Sequence, residues 1–136
     1  MAIQGKDVVG PKDGGLLKIL VIDDDPNIAK MLIISARRRW PDVSVLAALS
    51  GQRGIEMARL QGPEVVVLDL GLPDMHGVEV CRRIRQFSQV PILVLTGQVD
   101  DSYRDRVLGE GANGFMTKPF SHAELLDRLE QLAHPP

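Results

Sequence analysis

The chain has 136 residues, enough for one domain and too few for a second of ordinary size. At 44% hydrophobic and 25% charged it can build one real core, and a net charge of -2 argues against a nucleic-acid or anionic-membrane partner. The lone Cys81 excludes an internal disulfide, no apolar stretch approaches the roughly 20 residues that span a bilayer, and the N-terminus lacks the apolar core of a secretion signal, so a soluble cytoplasmic protein is expected.

Residues 1–15, rich in Gly, Lys and Asp, read as a flexible leader, and residues 16–134 as a single domain. Five strand-like apolar runs follow, at 17–23, 43–48, 64–69, 91–95 and 113–117. Between and after them lie segments of helical period, at 26–39, 51–60, 77–87, 100–109 and 122–133. Asp25 caps the first helix with Pro26 in its first turn, and Pro41 ends it behind Arg37-Arg38-Arg39. Ser121 and Glu124 form a capping box for the last helix. The helix at 100–109 offers only Tyr103, Val107 and Leu108 for burial and is expected to be among the weakest elements. Strict alternation of strand and helix predicts an α/β fold, a parallel sheet covered by helices on both faces.

Chemistry-bearing residues follow three of these runs: Asp23-Asp24-Asp25, Asp69 and Lys118-Pro119. In an open parallel sheet the strand ends of one sense share an edge, so these groups would converge on one crevice. Clustered carboxylates repel unless a cation or protons join them. Hard oxygen ligands suit Mg²⁺, which adds phosphate oxygens to its shell. Phosphoryl transfer spreads charge over three equatorial oxygens. A metal would neutralise one and Lys118 a second, while the Thr96 hydroxyl and the Gly97 backbone N–H would bind the third. Asp69 would be the nucleophile and carry an acyl phosphate.

The chain resembles the receiver domain of two-component response regulators. The resemblance rests on Val21-Ile22-Asp23-Asp24-Asp25-Pro26, on Val67-Leu68-Asp69 with Leu72-Pro73-Asp74-Met75 and Gly77, on Pro91 to Gly97, on Gly111-Ala112-Asn113-Gly114-Phe115, and on Lys118-Pro119-Phe120. These run in family order from about residue 17 to 133. The resemblance implies a flavodoxin-like, doubly wound, five-stranded sheet of order 2-1-3-4-5. It implies Asp69 as phosphoacceptor, Asp24 as direct and Asp23 as outer metal ligand, and the Gly71 carbonyl as the third protein ligand. Thr96 and Phe115 correspond to the switch pair and Lys118 to the phosphate-binding ammonium, with a cis peptide before Pro119. The implied donor is a sensor histidine kinase or phosphotransfer protein, and the implied role is a phosphorylation-controlled switch rather than an enzyme acting on an external substrate. Its 100–133 face would reorganise for a downstream partner or output domain that the sequence leaves unknown.

Departures from the family pattern carry their own expectations. Phe115 stands where Tyr is frequent and lacks the hydroxyl that fixes the loop after the fourth strand, which implies a shallower switch. His76 replaces a common Asp and is expected exposed, with no role. Gly71 and Gln98 occupy positions that influence phosphate lifetime. Asn113-Gly114 replaces an acidic pair at the dimer face of winged-helix transcription factors, leaving at most a weak homodimer. No segment after Ala133 is long enough to bind DNA, so the chain reads as a stand-alone receiver or as the regulatory part of a longer transcriptional regulator.

Plainer readings compete at each motif. Asp23-Asp24-Asp25 alone would be a helix N-terminus favoured by the dipole, and Thr96-Gly97 alone a strand-end turn. Arg37-Arg38-Arg39-Trp40 reads better as cations at a helix C-terminus with a docked Trp than as a nucleic-acid patch. His76, His122 and His134 show no ligand spacing. Two rival functions stay open at this point. An aspartyl-phosphate phosphatase of the haloacid-dehalogenase type would also use Asp, Thr, Lys and Mg²⁺, but its Asp-x-Asp-x-Thr pattern is absent from Asp23 to Asn27. A phosphorylation-independent binding module would not need the full acidic set.

Overall fold

The computed structural model describes residues 18–97 and 100–134. The expected leader at 1–15, and Gln98, lie outside the described residues. Five strands alternate with five helices: β1 (Lys18–Ile22), α1 (Pro26–Arg39), β2 (Ser44–Ala48), α2 (Gly51–Gln61), β3 (Val65–Leu68), α3 (Gly77–Arg85), β4 (Ile92–Thr96), α4 (Asp101–Gly109), β5 (Gly114–Thr117) and α5 (His122–Ala133). The strands form one parallel sheet in the order β2-β1-β3-β4-β5. This is the flavodoxin-like order expected from the sequence.

The period-two alternation of the strands sorts their side chains between two apolar layers. Ile19, Val21, Val65, Val67, Leu93, Leu95 and Met116 face α1 and α5, meeting Ala29, Leu32, Ala36, Leu125, Leu126 and Leu129. Leu20, Ile22, Val66, Leu68, Ile92 and Val94 face the other way, onto α2, α3 and α4, meeting Ile55, Ala58, Val80, Cys81, Ile84 and Val107. Burying each large aliphatic side chain is worth about 1.5–3 kcal/mol. The interior strands β1, β3 and β4 are apolar on both faces because both faces are covered.

Local signals act as expected at most boundaries. The Asp25 side chain accepts from the Asn27 N–H, with Pro26 opening α1, and Trp40 docks at its end, 2% exposed. Arg39 reaches from the same end to Asp127 on α5 at 2.7 Å. At α5 the Ser121 hydroxyl accepts from the Glu124 N–H at 3.2 Å. Burial pushes the Cys81 thiol up to about 11, so it behaves as a small core residue. Helix α4 is thinner than expected: Val107 is its one buried residue, Tyr103 is half-buried, and Leu108 is 38% exposed rather than buried. Among the described residues no helix is long and apolar enough to cross a membrane.

Candidate functional site

Parallel pairing brings the carboxyl ends of the strands to one edge, and the expected residues stand there. Asp23 follows β1 and donates its N–H to the Ala48 carbonyl at the end of β2, at 3.0 Å. Asp69 follows β3 and donates to the Ile22 carbonyl at the end of β1, at 2.9 Å. Thr96 ends β4 with no exposure, paired with Thr117 of β5, and its carbonyl accepts from the Lys118 N–H at 2.9 Å. The backbone that carries each of these side chains is therefore held by the sheet ladder itself. The Lys118–Pro119 peptide is cis.

Carboxylate oxygens of Asp23, Asp24 and Asp69 all lie within 4.8 Å of one another. Asp23 is 3% exposed and Asp69 8%, whereas Asp24 faces solvent. Burial raises the Asp23 pKa above the usual carboxyl range, and the neighbouring Asp69 charge adds to the rise. The Asp25 N–H at 2.9 Å and the Lys118 ammonium at 3.0 Å oppose it without cancelling it. Three carboxylates against one ammonium leave two negative charges, the complement of a divalent cation. All-oxygen donors, two sheltered and one open to water, fit a hard metal that keeps part of its hydration shell. The residues present can hold such a metal.

Lys118 was expected to face a phosphate; in this structure its ammonium is paired with Asp23. Among the described residues a Cβ placed on Gly97 would meet nothing within 4 Å, so no described neighbour requires glycine there. Phe115 lies on β5, half-buried on the face that carries α4, two residues before the Thr117 that pairs with Thr96.

The loop between β3 and α3 is tied more firmly than the sequence reading foresaw. Gly71 forms an antiparallel bridge with His76, and the Gly77 N–H donates to the Leu70 carbonyl at 2.8 Å. Asp74 accepts from the N–H groups of Gly51 and Gln52, at 2.7 and 2.9 Å, capping α2 from another part of the chain. These bonds hold its carboxyl below the usual range. His76 corrects an expectation. It is half-buried, caps α3 by accepting from the Val78 N–H at Nδ1 (3.1 Å), and packs its ring against Tyr103 with centroids 4.6 Å apart. A second unforeseen tie is Arg85, whose guanidinium donates to the carbonyls of Ser88 and Gly111 and to Asn113 Oδ1. Asp74 lies within the Leu72–Met75 motif and His76 directly after it, but their partners are remote or depend on a ring's orientation. The loop's two-residue spacing from His76 to Val78 was the one available local signal for a cap.

Comparison with known proteins agrees with this geometry. Residues 19–130 match the family described as the response regulator receiver domain. The DNA-binding response regulator MtrA of Mycolicibacterium smegmatis is 42% identical over 114 residues, covering 82% of this chain and 48% of that protein. The chain thus spans about half the length of such curated relatives. The BeF3-activated N-terminal receiver domain of Klebsiella pneumoniae RstA superposes with a TM-score of 0.75 at 32% identity, covering 86% of this chain and 98% of that one. A CheY-like receiver domain from Methanospirillum hungatei shares the fold at a TM-score of 0.80 and 22% identity, covering 88% and 94% of the two chains. With sheet order, strand-end acids and sequence in agreement, the chain belongs to the receiver domains of two-component response regulators.

Proposed function

We propose that this receiver accepts a phosphoryl group on Asp69 from a phosphohistidine of a sensor kinase or phosphotransfer protein. The observation that carries the reading is the meeting of Asp23, Asp24 and Asp69 with Lys118 at the carboxyl edge of the sheet. Asp23, Asp24, Asp69 and the Gly71 carbonyl would hold Mg²⁺. When bound, the ion supplies charge neutralisation for a phosphate oxygen as negative charge shifts during transfer.

The protein's own groups do the remainder. An Asp69 carboxylate oxygen attacks phosphorus as the phosphorus–nitrogen bond of the donor breaks, and the bonding pair leaves with the donor imidazole, which takes up a proton. The Lys118 ammonium turns from Asp23 toward a phosphate oxygen, for which its place at the half-buried strand end suits it. The Thr96 hydroxyl and the Gly97 N–H receive the remaining oxygen. Drawing Thr96 toward the phosphate opens space on the α4 face of β5, and Phe115 and α4 shift in response, a population change between two arrangements. The 100–133 face then meets a downstream partner, which in a longer regulator would be its own output domain.

Mass spectrometry after incubation with acetyl phosphate and Mg²⁺ tests this. The parent is expected to gain one phosphoryl group, lost on treatment with hydroxylamine, and Asp69→Asn to gain none. Equal labelling of the two proteins, or an unlabelled parent, would refute it.

A further inference from the structure

His76 touches three parts of the molecule that the reading above treats separately. Its backbone bridges to Gly71, whose carbonyl is the proposed third metal ligand. Its Nδ1 accepts from the Val78 N–H at 3.1 Å, which fixes the imidazole relative to the first turn of α3. Its ring lies against Tyr103 of α4, at 4.6 Å between centroids and 33° between planes.

Helix α4 makes this contact weighty. It buries Val107 alone, toward its C-terminal end. Near its N-terminal end the larger apolar group is Tyr103, which packs on the α2–α3–α4 layer and carries the Arg106 guanidinium 5.8 Å from its ring centroid. The position of the α4 N-terminal half therefore depends on what Tyr103 leans on, which is His76 as well as that apolar layer.

We infer that His76 is a positioning residue that couples cation binding at the Gly71 loop to the placement of α4, through the His76–Tyr103 ring contact. The inference rests on the metal reading proposed above. A cation that engages the Gly71 carbonyl shifts or stiffens residue 71, and the bridge passes this to His76 in one step. The ring contact, rather than the cap bond at Nδ1, carries the displacement on to Tyr103. The route is a chain of direct contacts rather than a spatial correlation, and it does not pass through Thr96 or Phe115. It gives α4 a response to the metal before any phosphoryl group arrives.

The chain contains one tyrosine, so protein labelled with 3-fluorotyrosine carries a single fluorine reporter, at Tyr103. Mg²⁺ is titrated into the full chain while calorimetry measures binding and ¹⁹F spectra follow the reporter. In the parent the resonance should move with the same saturation as the heat. His76→Asn keeps a cap acceptor without a ring; it should still bind Mg²⁺ while the resonance stays still. His76→Phe keeps a ring without the acceptor and should recover a movement. Because coupling is reciprocal, Tyr103→Ala should change Mg²⁺ affinity by about fivefold, the lower end of usual couplings. A resonance that moves in His76→Asn as in the parent would overturn the inference and leave the metal site intact. A His76→Phe protein as silent as His76→Asn would overturn the ring contact as carrier. A parent that binds no Mg²⁺ would bring down both this inference and the reading beneath it.

Discussion

A Cβ on Gly77 would sit 2.6 Å from the Asp69 carbonyl oxygen and 2.7 Å from the Leu70 Cα. Both are backbone atoms, so no rotamer change relieves the clash; α3 must back away from the strand end that carries Asp69. Gly77→Ala is therefore expected to cost about 3 kcal/mol, the upper end of ordinary overpacking. A lower urea midpoint and weaker acetyl-phosphate labelling should appear together, and a parent-like midpoint would contradict the packing argument. Gly97 makes the opposite case at the same edge. Among the described residues its Cβ would meet nothing within 4 Å and its φ is not in the left-handed region, so Gly97→Ala should leave stability within about 0.5 kcal/mol of the parent. Any loss of labelling in that variant then reports on the approach of phosphate rather than on folding.

Among the elements, α2 is capped by its own Ser50, whose side chain accepts from the Arg53 N–H, and in addition by a carboxylate from another segment. Asp74 accepts two N–H groups of the α2 first turn, and the folded protein holds its pKa below the usual 3.8. A carboxyl depressed by folding stabilises the folded state above its unfolded pKa, and that contribution fades as pH falls through the folded value. Asp74→Ala should cost about 1 kcal/mol at neutral pH, as loss of a cap usually does. The gap between parent and variant should narrow as pH falls below 3.8, read from urea curves across the range. A gap that stays constant with pH would mean the side chain acts by packing alone. Helix α4 is the other informative element. With Val107 its one buried residue, against Gly77, Val78, Val80, Cys81 and Ile84 in α3, its amides should exchange with solvent well before those of α3. Equal protection of the two helices in a hydrogen-exchange experiment would contradict this.

At the scale of the molecule, the proposed cation site at the acidic edge would make stability depend on cations. A ligand that binds only the folded protein adds stability by mass action, about 2.7 kcal/mol at a concentration 100 times its Kd. Mg²⁺ should therefore raise the melting temperature of the parent, and Asp24→Asn should blunt the rise. The architecture itself was readable from the chain because it is written locally. Each strand is an apolar run, and each helix carries a cap or a period, so predicted and observed boundaries of α1 and α5 coincide and the strands differ by about a residue at their ends. The meeting of Asp23, Asp69 and Lys118 was readable because parallel topology converts three strand ends into one place. The ties of Asp74 to α2, His76 to Tyr103 and Arg85 to Gly111 were not readable. Each joins a side chain to a group 23, 27 or 26 positions away, and no periodic pattern encodes such a pairing. Leu108 was misplaced for a related reason. Helical spacing alone does not say how much of α4 lies against the sheet, and the structure turns that side chain outward.

Arg85 gives α4 a mechanical character. Its guanidinium grips the Gly111 carbonyl at 2.8 and 3.1 Å, while the Cys81 thiol meets the Glu110 carbonyl at 3.5 Å, so the end of the rod nearest β5 is moored to α3. A rod moored at one end swings instead of sliding. Nine residues at 1.5 Å each make a lever of about 13 Å, and a tilt of ten degrees carries its far tip by about 2 Å. That tip stands at the carboxyl edge of the sheet, beside the acids, and a tilt of that size would be large enough for another protein to feel.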